Sequence, residues 1–228
     1  MFTSQLELST QLMYEHKSLK LKQQQQQKPN NSAPVKQLDW PIDDLSQHWF
    51  QECQAIHNLA LISSKLKNHL ESVDFYEKCM SKLQQQQQSQ QLSQHAQQLL
   101  ELNGRCFIGI INSCLSLKDN LRAALYAHSM LDFVLKEMAK LNAQSELREA
   151  INSDEKKRRL RYLKFLEMSA CSKLASCYWK QNRLDDALKL YQREADLAKQ
   201  TNNTFYLTRA LSHMAQVSRI NLILSNQI

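Results

Sequence analysis

From Leu45 onwards the apolar residues recur at intervals of three and four, and polar breaks divide the pattern into separate amphipathic segments. Leu45, Trp49, Cys53, Ile56, Leu59, Ala60, Ser63 and Leu66 mark one face of a first helix of about 25 residues. Pro41 suits its first turn, and Asp43 and Asp44 complement the positive end of its dipole. A second helix begins near Leu70, with Val73, Tyr76 and Met80 on one side, and runs into the Gln-rich tract 84–98. Glutamine forms helix readily, so the tract reads as a helix extended beyond the packed body, with a disordered insertion as the alternative. Leu99–Leu117 and Leu121–Leu141 form the next pair around a turn at Lys118-Asp119-Asn120. Residues 142–153 are polar, and Asn152 or Ser153 can cap a helix through Leu160, Leu163, Leu166, Ala170, Leu174 and Tyr178. A turn at Gln181-Asn182-Arg183 leads to the helix ending near Lys199, and a last helix spans Thr204–Leu224.

Ahead of this array the pattern fails. Residues 23–37 join a Gln run to two prolines without an apolar period, which reads as a linker. Residues 3–22 place Leu6, Leu8, Leu12, Met13 and Leu19 on an imperfect face, fitting either an amphipathic helix or a partly ordered tail. The expected division is therefore 1–37 and a helical domain over 38–228.

The helical segments repeat one another. Leu174, Tyr178, Leu184, Ala187 and Tyr191 set a spacing that recurs at Leu59, Ser63, His69, Ser72 and Tyr76, and again at Ile111, Leu115, Leu121, Ala124 and His128. Met214-Ala215 echoes Leu174-Ala175. Small residues at Ala124, Ala175 and Ala187 let paired helices approach, while Tyr or Leu fills the space between pairs. The pattern resembles the tetratricopeptide repeat (TPR), strongest over Leu174–Lys199, with units about 47–83, 99–141 and 155–201 and a terminal helix 204–224. The spacing of the last start resembles the longer repeats of rapsyn/Pins-like adaptors. Ser72, Asn112 and Glu194 depart from the family's small residues, and its Pro after the second helix is missing. The resemblance implies an all-α, TPR-like α-solenoid of antiparallel helix hairpins, here with Gln-rich insertions.

Composition narrows the alternatives. Two Gly and three Pro in 228 residues disfavour turn-rich sheet folds. Gly104 and Gly109 are the only glycines, so phosphate-cradling loops and dinucleotide fingerprints are not available in their usual form. The six cysteines are irregularly spaced without a C-x-x-C pair, and read as small apolar residues in a reducing compartment. No stretch has the ~18 apolar residues of a membrane span. Residues 1–22 have no apolar core of a secretory signal, so the expected location is cytoplasmic, with nuclear as the alternative. Cys53 and His57 stand at i, i+4 without a second ligand pair, and Asp185-Asp186 are adjacent and so diverge around a helix. No metal, cofactor or catalysis is expected.

What remains is binding. In TPR arrays the first helix of each pair lines a concave groove, which the resemblance carries over to His57, Asn58, Leu61 and Lys65. The third unit supplies Ser169, Ser172, Lys173, Ser176, Trp179 and Lys180, and the last helix Arg209, Ser212, His213, Gln216 and Arg219. Lys173, Lys180, Arg209 and Arg219 make that surface positive and imply an acidic protein or peptide partner. Trp179 reads either as an aromatic anchor for the partner or as packing beside Tyr178. His57 and Leu61 occupy the places where a chaperone-tail clamp needs Lys and Asn, so that ligand is not expected. The expected function is a non-catalytic adaptor or scaffold. The alternative is a nuclear or nucleic-acid-associated factor using the basic cluster Lys156, Lys157, Arg158, Arg159 and Arg161, for which the mild net charge of +7 gives little general support. Self-association through the Gln-rich segment is a third expectation.

Overall fold

A computed structural model describes residues 42–87, 96–147 and 153–225, all within one compact unit, Ile42–Ile228. The expectations placed on residues 3–22, on the linker 23–37 and on positions 88–95 of the Gln tract lie outside the described residues. The helices are α1 (Ile42–Lys65), α2 (His69–Gln87), α3 (Ala96–Ser116), α4 (Asn120–Leu147), α5 (Ser153–Lys180), α6 (Leu184–Gln200) and α7 (Thr204–Ser225). α4 runs several residues beyond Leu141, where the polar composition suggests a break, because no proline or glycine stops it.

Each helix packs on the next in sequence, and the odd-numbered helices also pack on one another, α1 on α3, α3 on α5 and α5 on α7. The described residues thus form an all-α array of antiparallel hairpins, an α-solenoid with the odd helices in one layer and the even helices in the other. Side chains link α2 to α4, where Glu77 accepts hydrogen bonds from Arg122 Nη2 at 2.7 Å and from the Tyr126 hydroxyl. One apolar cluster runs continuously from Cys53 and Ile56 of α1 to Leu166 and Leu174 of α5, and a second joins α5, α6 and α7 around Ala175, Ala187, Tyr191 and Val217. All six cysteines are buried thiols. Such a core suits small apolar side chains, and burial pushes the Cys171 thiol up to about 12.

Four turns share one geometry. Lys67, Lys118, Asn182 and Asn202 adopt positive φ, between 51° and 65°. The residue after each donates its N–H back to the preceding helix: Asn68 to Ser63 O, Asp119 to Cys114 O, Arg183 to Tyr178 O and Asn203 to Ala198 O, at 2.9–3.0 Å. This is the Schellman arrangement, which satisfies the last carbonyls of one helix while aiming the chain into the next. The Asp119 and Asn203 side chains then cap the following helix by accepting from the N–H of Arg122 and Tyr206. Lys118 already carries the Cβ that the left-handed region crowds against its own carbonyl, so Lys118→Gly is expected to leave the melting temperature unchanged or raise it slightly. Lys118→Val, whose branched Cβ adds a second γ-carbon to that crowding, should lose about 1 kcal/mol. Circular dichroism melts of the two variants check the ordering.

These turns also correct the internal alignment. With Lys67, Lys118 and Asn182 equivalent, the counterpart of Leu59 and Leu174 is Ile110, not Ile111, and that of Ser72 and Ala187 is Ala123, not Ala124. The doublets Ile110-Ile111 and Ala123-Ala124 fit both registers by composition, and only turn geometry separates them. In the true register Ile111 stands where Ala60 and Ala175 are small, and Ala127 stands where Tyr76 and Tyr191 are large; all six side chains are buried. The second hairpin has therefore exchanged its large and small positions. In α7 the buried small residue is Ala210, while Ala215 is exposed. Ala210 lies about one ordinary ~34-residue period beyond Ala175, so its burial lends no support to the wider spacing read from Met214-Ala215.

Candidate functional site

The odd layer brings together most of the residues expected to meet a partner. On α1, Asn58 and Lys65 are exposed, and half-buried His57 lies edge-on to Tyr76 with ring centroids 5.7 Å apart. Burial lowers the His57 pKa, and the nearby Arg105 guanidinium of α3 pushes it the same way. The corrected register adds a row from α3: Gly109 stands where α1 has Asn58 and α5 has Lys173, followed by exposed Asn112 and Ser116. The sequence pattern carries groove positions over only to the first unit, the third unit and the last helix, so neither Arg105 nor this row is named there.

On α5, Lys173 is half-buried and Lys180 exposed. Burial, reinforced by the positive charge of Arg209, lowers the Lys173 pKa. No carboxylate among the described residues forms an ion pair with Lys173. Arg209 of α7 is committed inward instead. Its Nη2 and Nε lie 2.5 and 3.1 Å from Oε1 of Glu194 on α6, and its guanidinium carbon sits 4.3 Å from the Tyr206 ring centre. Glu194 is fully buried, and its Oε2 has no hydrogen-bond partner. Burial raises the Glu194 pKa, against the hydrogen bond and charge of Arg209 and a smaller pull from Ser172. The residue that departs most from the small-residue pattern is thus the anchor of an interhelix ion pair.

Trp179 and His213 are likewise engaged between helices. Trp179 is half-buried against the cluster of Ala175, Leu184, Ala187, Tyr191 and Val217. His213 stacks on Tyr191 at 5.1 Å with the rings 21° apart, and meets Trp179 edge-on at 6.1 Å. Burial first, and Arg209 second, lower the His213 pKa. Arg219, farther along α7, is exposed. Among the polar residues of the odd layer, Asn58, Lys65, Asn112, Ser116, Lys180, Ser212, Gln216 and Arg219 are exposed and Lys173 is half-buried, while Arg209, His213 and Trp179 are engaged between helices. α7 contains no Asp or Glu.

The basic cluster lies at the start of α5 and is largely paired. Lys157 reaches Asp154 at 3.7 Å, Arg158 reaches Glu101 at 3.7 Å and Arg159 reaches Glu155 at 2.5 Å. Arg161 Nε donates to the Lys157 carbonyl at 3.4 Å, and Lys156 is half-buried. The adjacent acids of α6 also have local partners. Asp186 pairs with Arg183 at 2.6 Å, and Asp185 accepts from Asn221 at 3.3 Å. Cys53 is fully buried, with its carbonyl accepting from the Cys79 thiol at 3.3 Å. No group of His, Cys, Asp and Glu among the described residues is arranged to hold a metal ion, and no described helix is long and apolar enough to cross a membrane.

Two segments match tetratricopeptide repeat family models, residues 54–81 in the first hairpin and residues 170–204 in the third. These are the hairpins that keep Ala60 and Ala175 small and Tyr76 and Tyr191 large; the second has those sizes exchanged. A comparison with curated proteins finds no match.

Proposed function

We propose that this chain is a non-catalytic adaptor that holds an extended, acidic segment of a partner protein along its odd-numbered helices. TPR repeats generally mediate protein–protein contact, and the two matched hairpins here flank the α3 row. The observation that carries the acidic specificity is Lys173. Its ammonium is half-buried beside Arg209 and unpaired with any carboxylate among the described residues, an arrangement that disfavours the charge. A carboxylate from a partner would reverse that balance. Lys65, Lys180 and Arg219 would steer such a segment inward, and α7 offers no acid to compete.

The lowered pKa has a definite sign. A lysine whose folded value lies below its unfolded one disfavours folding at neutral pH, and the handicap disappears only above the unfolded value of 10.5. Lys173→Met is therefore expected to raise the melting temperature, by ~2–4 °C per 1 kcal/mol relieved in a domain of this size, while weakening partner binding. A side chain needed only for packing would not improve one and impair the other. Proximity labelling with the full chain and its Lys173→Glu/Arg219→Glu variant tests the reading; unchanged partner recovery would sink it. Arg209 is left intact in this test because it holds Glu194. The pairing of Lys157, Arg158 and Arg159 with carboxylates favours this reading over nucleic-acid binding through the basic cluster.

A further inference from the structure

The turns of the first two hairpins carry leucines that the turn itself does not need. Leu66 and Leu117 occupy the position just before the left-handed residue, and Leu70 and Leu121 lie three residues after it. They are 56%, 37%, 65% and 71% exposed. The third hairpin makes the same turn, with the same hydrogen bonds, using Gln181 and Asp185 at these positions. Turn formation therefore does not account for leucine. Leu125, one helical turn beyond Leu121 on α4, extends the exposed stripe. Both turns lie at the same end of the stacked antiparallel hairpins, because α1, α2, α3 and α4 alternate in direction. Apolar side chains repeated at equivalent exposed positions of neighbouring units form an edge rather than isolated surface leucines.

Charge identifies what fits this edge. Lys65, Lys67 and Lys118 are exposed around the leucines, and no described carboxylate pairs with them. The neighbouring acids are partly occupied: Glu71 accepts from Ser63 and Asn68, and Asp119 caps Arg122. A second copy meeting the edge through a twofold axis would bring these lysines against one another, which disfavours a homodimer here. We propose that the turn edge formed by Leu66, Leu70, Leu117 and Leu121 docks an amphipathic helix of a partner protein, with its leucine-sized side chains between these residues and its flanking carboxylates on the lysines. This edge borders the open face of the odd helices at Lys65, but its leucines, Lys67 and Lys118 lie outside that face and do not depend on what binds there.

The test uses the full chain and a fluorescein-labelled peptide of ~3 heptads with leucine at the a and d positions and glutamate at most others. Saturable binding by fluorescence anisotropy is expected, at least about tenfold weaker for a peptide with lysine in place of glutamate. The combined Leu66→Gln, Leu70→Asp, Leu117→Gln and Leu121→Asp variant places the third hairpin's residues in the first two, so a thermal melt close to the parent's is expected, together with loss of peptide binding. A Lys67→Glu/Lys118→Glu variant keeps every leucine and should lose the glutamate peptide as well, giving a readout should the fourfold variant misfold. Lys173→Glu should leave this binding unchanged. The proposal is overturned if neither peptide binds, if both bind alike, or if the folded leucine variant binds as the parent does. It is equally overturned if phosphatidylserine-containing vesicles capture the chain through these leucines while the peptide does not, or if light scattering finds a leucine-dependent dimer.

Discussion

Gly109→Val is expected to destabilise the protein by about 3 kcal/mol, at the upper end of ordinary overpacking effects. In an exposed helix the change from glycine would be favourable, because glycine is the poorest helix former after proline. Here the sign reverses. A Cβ at Gly109 would lie 2.5 Å from the Tyr76 hydroxyl and 2.6 Å from its Cε2, and closer still to Cζ. Tyr76 cannot easily withdraw, since it is only 2% exposed and His57 lies against its ring. The collision is thus with a held aromatic ring rather than with the free end of a flexible chain. Even Gly109→Ala should lower stability, by about 1–2 kcal/mol after its helix-propensity gain is set against the clash. In a domain of this size, Gly109→Val should lower the melting temperature by ~6–12 °C. Shortening the obstacle supplies the control: Tyr76→Leu costs stability alone but should make Gly109→Ala less harmful, a coupling of about 1 kcal/mol or more in a double-mutant cycle. Additive effects would mean that α2 and α3 do not meet through this pair. The equivalent change at Gly104 should be destabilising as well, since its Cβ would meet the Tyr162 hydroxyl, which is hydrogen-bonded to the Glu101 carbonyl, at 2.5 Å and fully buried Leu166 at 2.8–2.9 Å.

The two glycines show where sequence reading stops. Their scarcity argues against phosphate loops and the helix read over Leu99–Leu117 contains both, but nothing in the sequence pattern says that they stand at points of close approach. Helix order and hairpin pairing were legible because each apolar face continues for several turns at the helical period. The third hairpin was the clearest because Leu174, Ala175, Ala187 and Tyr191 combine large and small residues as a close-packed pair requires. The second was misregistered by one residue, since a doublet such as Ile110-Ile111 fits two phases and a left-handed lysine carries no composition signal. At the candidate site the cations were identifiable as residue types, but their commitments were not. Arg209 and Lys180 look alike in a helical register, whereas one is turned onto a buried acid and the other is exposed. Glu194 was the available clue. An acid where the repeat favours a small residue needs a buried partner, and the nearest basic position on the following helix is Arg209.

Arg209→Met should then destabilise the protein by about 3 kcal/mol at pH 7, the cost of leaving one member of a buried ion pair uncompensated. The figure sits at the low end of that range because the Arg209 side chain is 30% exposed while Glu194 is fully enclosed. Its pH dependence is the more discriminating result. Burial already holds the Glu194 carboxyl above its ordinary value, despite the pull of Arg209. A carboxyl whose folded pKa is raised favours the folded state most when protonated, below its unfolded value of 4.5, and that contribution is lost as pH rises through the raised value. Without Arg209 the folded value should climb further. The gap between variant and parent should therefore be small near pH 4, widen as pH rises from the parent's raised value to the variant's still higher one, and level off above it. What persists at low pH is the loss of guanidinium packing on Tyr206, roughly 0.5–1 kcal/mol for a cation on an aromatic face. Adding Glu194→Gln should flatten the profile and restore much of the stability at pH 7, because the amide stands in for the protonated acid and needs no counter-charge. Urea titrations of the parent, Arg209→Met and the double variant at pH 4 and pH 7 measure each of these differences. A pH-independent loss in Arg209→Met, unchanged by Glu194→Gln, would show that Arg209 acts through packing alone, and that the acid at the repeat's small position is not what holds α6 to α7.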